Sequence, residues 1–111
     1  MGDSQNAINY YKKAITSDQN NSNAYNNLGV VFNILGEGHK AKNCYEKAIK
    51  INPNDIYAYI FKAHVFSEQG KFEEALLSYK NAYYINPEHP LLLGYIAVSY
   101  THLTLPTILR V

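Results

Sequence analysis

"SNAYNNLGVVFNILGEGHKAKNCYEKAIKINPND", residues 22–55, and "IYAYIFKAHVFSEQGKFEEALLSYKNAYYINPEH", residues 56–89, lie end to end and align without a gap. Tyr25 falls on Tyr59, Phe32 on Phe66, Gly36 on Gly70, Ala41 on Ala75, Tyr45 on Tyr79 and Ala48 on Ala82. The triplet Ile51-Asn52-Pro53 falls on Ile85-Asn86-Pro87. A period of 34 residues marks one supersecondary unit, stacked on its neighbours because it cannot bury its apolar face alone.

Each period reads as two helices. Tyr25, Leu28, Gly29 and Phe32 stand at i, i+3, i+4 and i+7, one apolar stripe. Gly29, with Ala63 in the next copy, is small enough for a facing helix to approach closely. Gly36 and Gly70 stand where this helix must stop, since glycine takes the left-handed conformation without a Cβ penalty. In the second helix Ala41, Tyr45 and Ala48 alternate small and large, so that neighbours interdigitate. Pro53 and Pro87 end it, having no N–H to continue the hydrogen bonding.

These residues resemble the tetratricopeptide repeat. Its pattern of Trp-x2-Leu-Gly-x2-Tyr, then Ala-x3-Phe, then Pro is met by Tyr25, Leu28, Gly29, Phe32, Ala41, Tyr45 and Pro53. The second copy departs from it at Lys62, in place of Leu, and Ala63, in place of Gly; we expect Lys62 to snorkel past the helix pair. The resemblance implies an all-α solenoid, a right-handed superhelix of antiparallel helix pairs. Gly2, Ala7, Tyr11 and Ala14 match Gly36, Ala41, Tyr45 and Ala48, so residues 1–21 read as a second helix alone. Repeats at 22–55 and 56–89 follow, and Pro90 opens a further first helix over 90–97. The array is expected to be cut at both ends, which would leave it marginal or self-associating through its exposed terminal repeats.

Residues 98–111, "VSYTHLTLPTILRV", break the pattern. Thr101, Thr104 and Thr107 are poor helix formers, Pro106 is a breaker, and no Ala-x3-Tyr follows. Val98 to Thr107 resembles the translation of GTC TCT TAT ACA CAT CTG ACG CTG CCG ACG, the end of a transposase-type sequencing adapter. We therefore expect a non-native tail that interrupts the array after Ala97, with no functional weight on its side chains.

Composition narrows the function. Ten Lys and Arg stand against nine Asp and Glu, so no net field recruits nucleic acid or an acidic membrane. No run of ~18 apolar residues is present to span a bilayer, and no secretion signal opens the chain. One cysteine excludes an internal disulfide and fits a reducing compartment, so the cytoplasm is the expected location. Cys44 reads as a packed small hydrophobe, the histidines lack an orienting partner, and no His or Cys pair has helical metal-ligand spacing. No catalytic residue, cofactor or metal is therefore expected, and the chain is read as no enzyme.

The informative surface is the one the family implies, where first helices line a concave groove that holds a partner segment. Position by position, that stripe is Asn23, Asn26, Asn27, Val30, Asn33 and Ile34, then Tyr57, Ile60, Phe61, His64, Ser67 and Glu68, extended by Leu91 and Tyr95. Amides can bond an extended backbone whatever its sequence, and Tyr57, Phe61 and Tyr95 offer flat apolar area. The family's clamp for C-terminal carboxylates is matched only by Asn27, since Val30, Tyr57, Phe61 and Tyr95 fill its other places. The expected function is a protein-interaction scaffold that binds a protein or peptide partner of neutral or mildly apolar character. The alternative is the non-catalytic arm of a larger enzyme, such as an O-linked glycosyltransferase. The asparagine array of that class is represented only by Asn27, its equivalents being Phe61 and Tyr95.

Overall fold

The computed structural model describes residues 2–104. These form α1 (Gly2–Ser17), α2 (Ser22–Ile34), α3 (Gly38–Ile51), α4 (Ile56–Glu68), α5 (Phe72–Ile85) and α6 (Leu92–Thr104), with no strand among the described residues. Local chemistry sets the boundaries. Asn21 and Asp55 cap α2 and α4, each side chain accepting a hydrogen bond from the N–H three residues on, at Ala24 and Ala58. At the far ends Gly36 and Gly70 take φ of 79° and 76°. The N–H of Glu37 returns to the Phe32 carbonyl at 2.9 Å, and that of Lys71 to Phe66 at 2.8 Å. This closure satisfies carbonyls that the helix end would leave unpaired.

The Ile-Asn-Pro triplets stop α3 and α5 in a second way. A residue before proline is driven out of the helical region, and Asn52 and Asn86 are extended, at φ −133° and −143°. Each asparagine then accepts from the N–H two residues on, Asn54 and Glu88, at 3.1 Å.

Every helix packs on the next in sequence, and α2 also touches α4. No comparable contact joins α1 to α3 or α3 to α5 among the described residues. In a curved stack the inner layer is compressed and the outer one fans apart, so α2 and α4 lie on the inner side. The array extends 49 × 31 × 20 Å with a radius of gyration of 15.1 Å, against about 13 Å for a compact globule of this length. Its core runs along the seams. Ala41, Ala48, Ala58, Ala63, Ala75 and Ala82 are fully buried, and Tyr45 and Tyr79 fill the spaces between them.

Gly29 shows why small residues sit on α2. A Cβ built there would stand 2.5 Å from Cε1 of Tyr45, a ring with no free space to retreat into. Alanine favours a helix interior by about 1 kcal/mol over glycine, whereas overpacking a filled core costs about 1–3 kcal/mol. Gly29→Ala is therefore expected to lower the urea midpoint of unfolding. Ala63, at the equivalent place in α4, carries its Cβ in the same core cluster as Tyr79.

The last helix starts later than the repeat pattern predicts. It begins at Leu92, two residues after Pro90, because the N–H of Leu91 bonds Nδ1 of His89 in a turn first. It also runs past Ala97 to Thr104. The hydroxyls of Ser99, Thr101 and Thr104 bond the carbonyls four residues back, at 3.0, 3.0 and 2.8 Å, so each finds a hydrogen-bond acceptor without leaving the helix. Met1 and residues 105–111, including the expected break at Pro106, lie outside the described residues.

Candidate functional site

The inner side of the array is built from α2, α4 and α6, whose side chains meet across the seams. Nδ2 of Asn33 on α2 lies 3.4 Å from Oε1 of Glu68 on α4. His64 on α4 meets the edge of Tyr95 on α6, ring centroids 4.9 Å apart at 89°. Asn23 and Asn27 are exposed and free to face a ligand, while Val30 is half-buried over the Tyr45 cluster. Tyr57, 57% exposed, leans on Phe61 at 6.1 Å, and Phe61 rests in turn on Tyr45 at 5.7 Å. Of the residues expected on the groove, Asn23, Asn27 and Tyr57 are exposed, and Val30, Asn33, Phe61, His64 and Tyr95 are half-buried.

Two of the expected groove residues do not reach it. Asn26 is 6% exposed and Ile60 5%. Ile60 belongs to the core formed with Ala63, Tyr79, Ala82 and Leu92. Nδ2 of Asn26 donates to Oδ2 of Asp55 at 2.6 Å, while its Oδ1 has no partner among the described residues. The reason is that a first helix has two packing neighbours, its own second helix and the next repeat. It therefore buries two stripes, and the open one is narrower than a single-partner helix would leave. Sequence reasoning also missed Asp55, which caps α4 and anchors Asn26 together; its place directly before the apolar run of α4 is a helix-start signal.

The electrostatics of this side are quiet. Burial holds His64 below the ordinary histidine range, against the pull of Glu68, so the ring is neutral near pH 7. Its Nδ1 is hydrogen-bonded to the Tyr79 hydroxyl at 2.6 Å. Burial, then the neighbouring Tyr95 and Glu68, pushes the Tyr79 phenol up to about 12. Cys44, buried with Ile8 and Leu28 in the core, has its thiol pushed up by burial despite Lys47 and Lys12 nearby, which removes the thiolate that nucleophilic chemistry needs. Lys62 extends away to Glu46 at 3.5 Å, its ammonium 5.9 Å from the Phe66 ring. Among the described residues no three His, Cys, Asp or Glu cluster as metal ligands, and no helix is long and apolar enough to cross a membrane.

Stacked helical hairpins, with glycine turns inside each pair and proline stops between pairs, define an all-α repeat solenoid. Models of the tetratricopeptide repeat family match residues 1–21, 22–55 and 44–76, and the chain belongs to that family. Its fold is similar to a solved structure described as "First TPR of Spaghetti (RPAP3) bound to HSP90 peptide SRMEEVD", with TM-score 0.85 and 20% identity over 92% of this chain and 81% of that one. It is similar to the Arabidopsis OM64 TPR domain, with TM-score 0.85 and 21% identity over 91% and 84%. It is also similar to MamA, with TM-score 0.84 and 24% identity, covering 96% of this chain and 56% of that chain. At these identities the likeness is one of fold. Among curated protein sequences the chain has no match.

Proposed function

We propose that the inner side of this array binds an extended segment of a partner protein. The observation that carries the reading is the exposed Asn27 amide together with the exposed Tyr57 ring, which leans on the half-buried Phe61 at 6.1 Å. Amides supply hydrogen bonds to any backbone, and the aromatic pair supplies apolar area at little cost in side-chain entropy. The fold lends support, since the Spaghetti repeat domain of the same architecture holds a peptide. The chemistry of the held segment differs here, because no free Lys or Arg lies on α2, α4 or α6 to receive a terminal carboxylate: Lys62 is engaged by Glu46.

A displayed peptide library selected on the full chain tests this. Selected peptides should bind on the order of tenfold more weakly to Phe61→Ala, as for a central aromatic anchor, and more weakly to Asn27→Ala. Affinities unchanged in both variants, with helical circular dichroism retained, would remove the inner side as the binding surface.

A further inference from the structure

Glu68 sits at the end of α4 with its carboxylate exposed. It borders two clefts. One, of about 180 Å³, is shared with Asn33, Val65 and Gln69. The other, of about 480 Å³, is lined by His64, Phe72 and Tyr95, and its far wall is formed by Val98, Ser99 and His102 of α6, the His102 ring stacked on Phe72 at 4.1 Å. The chemistry that matters here lies before Ala97. Neither α2 nor α6 carries a Lys, Arg, Asp or Glu, and α4 carries only Lys62 and Glu68. With Lys62 turned to Glu46, Glu68 is the one charge on the three helices of the inner side without an ion-pair partner among the described residues. Asn33 touches only one of its oxygens, and at 3.4 Å, so the carboxylate keeps room for another donor.

We propose that the larger cleft takes a cationic side chain, lysine or arginine, from the bound segment, with its charge on Glu68 and its stem against the ring of Tyr95. This rests on the peptide-binding reading above and names what that segment must carry. Charge and ring faces act together. A cation within about 6 Å of an aromatic centroid is attracted by the ring quadrupole, and Tyr95, half-buried and backed by the buried Tyr79 ring at 5.2 Å, lines the same cleft as the carboxylate. The same field acts inward, since Glu68 adds to the burial that raises the Tyr79 phenol. An acidic segment meets the opposite situation, a carboxylate without an ion-pair partner among the described residues. The inner side therefore selects apolar segments that carry one positive charge and rejects acidic ones.

The test selects one displayed library in parallel on the native chain, on Glu68→Gln and on Phe61→Ala. Glutamine keeps the shape and removes the charge, and its exposed position leaves the fold intact, as matching circular dichroism would verify. Peptides from the native chain should be enriched in Lys and Arg over Asp and Glu by about fivefold, the scale of an exposed ion pair. That preference should vanish on Glu68→Gln and weaken as salt is raised. If Phe61-dependent binders appear with no basic preference, or with one that survives Glu68→Gln, the cation site is overturned and the groove stands. If the native chain enriches no peptide at all, the groove and the cation site fall together.

Discussion

Tyr45→Ala is expected to destabilise the chain by about 3–5 kcal/mol, the range for truncating a large buried aromatic residue, and to leave little folded protein at room temperature. The ring is 1% exposed and lies at the meeting point of three helices. It fills the space over Gly29 on α2, joins Ala41 and Val65 in one core cluster, and carries Phe61 of α4 on its other side. In a repeat array each unit is stabilised mainly by its neighbours. Losing this ring therefore loosens both the α2–α3 hairpin and its junction with the next. Gly29 cannot compensate, because glycine has no side chain to move into the void. Tyr45→Phe is the control. It removes one hydroxyl and keeps the ring that fills the seam, so it should cost no more than about 1.5 kcal/mol, the scale of a single hydrogen bond. Urea titrations followed by circular dichroism check both, and a Tyr45→Ala midpoint close to that of the native chain would refute this account of the seam.

Asp55→Ala is the second large effect, expected at about 2–4 kcal/mol from the loss of a cap and of a buried partner together. One carboxylate performs two tasks at the boundary between repeats. Its Oδ1 accepts the N–H of Ala58 and caps α4, an interaction worth about 1 kcal/mol, and its Oδ2 accepts the amide of Asn26 from the preceding first helix at 2.6 Å. Alanine abolishes the cap and strands a buried donor, which adds about 1–3 kcal/mol. The Asn26 amide is poorly able to absorb this loss, since its Oδ1 already has no partner among the described residues. The double variant Asn26→Leu with Asp55→Ser separates the tasks. Serine restores a capping oxygen and leucine removes the polar group, so this pair should recover most of the stability that Asp55→Ala loses. A thermal melt in which Asp55→Ala and the double variant are equally destabilised would show that Asn26 contributes nothing.

Much of this fold is legible in the order of the residues. Gly36 and Gly70 mark the turns that their positive φ completes, and Pro53 and Pro87 mark the stops. The alternation of Ala41, Tyr45 and Ala48 picks out core residues that are all essentially buried. The groove is less legible. Asn26 looks like its neighbour Asn27 in sequence, yet one is buried on Asp55 and the other is open. The threonines of the last helix look disruptive, but within Leu92–Thr104 their hydroxyls fold back onto the helix itself.

Sequence alone determines the repeat, its 34-residue register and the residues that start, stop and fill each hairpin, because backbone sterics and helical periodicity act over a few neighbours. Tertiary structure alone decides which residues of each first helix are buried, that Lys62 is spent on Glu46, and that Glu68 has no ion-pair partner among the described residues. Those outcomes depend on a second helix packing from another repeat. Burial by two neighbours at once is a property of their relative orientation, which no local spacing of residues encodes.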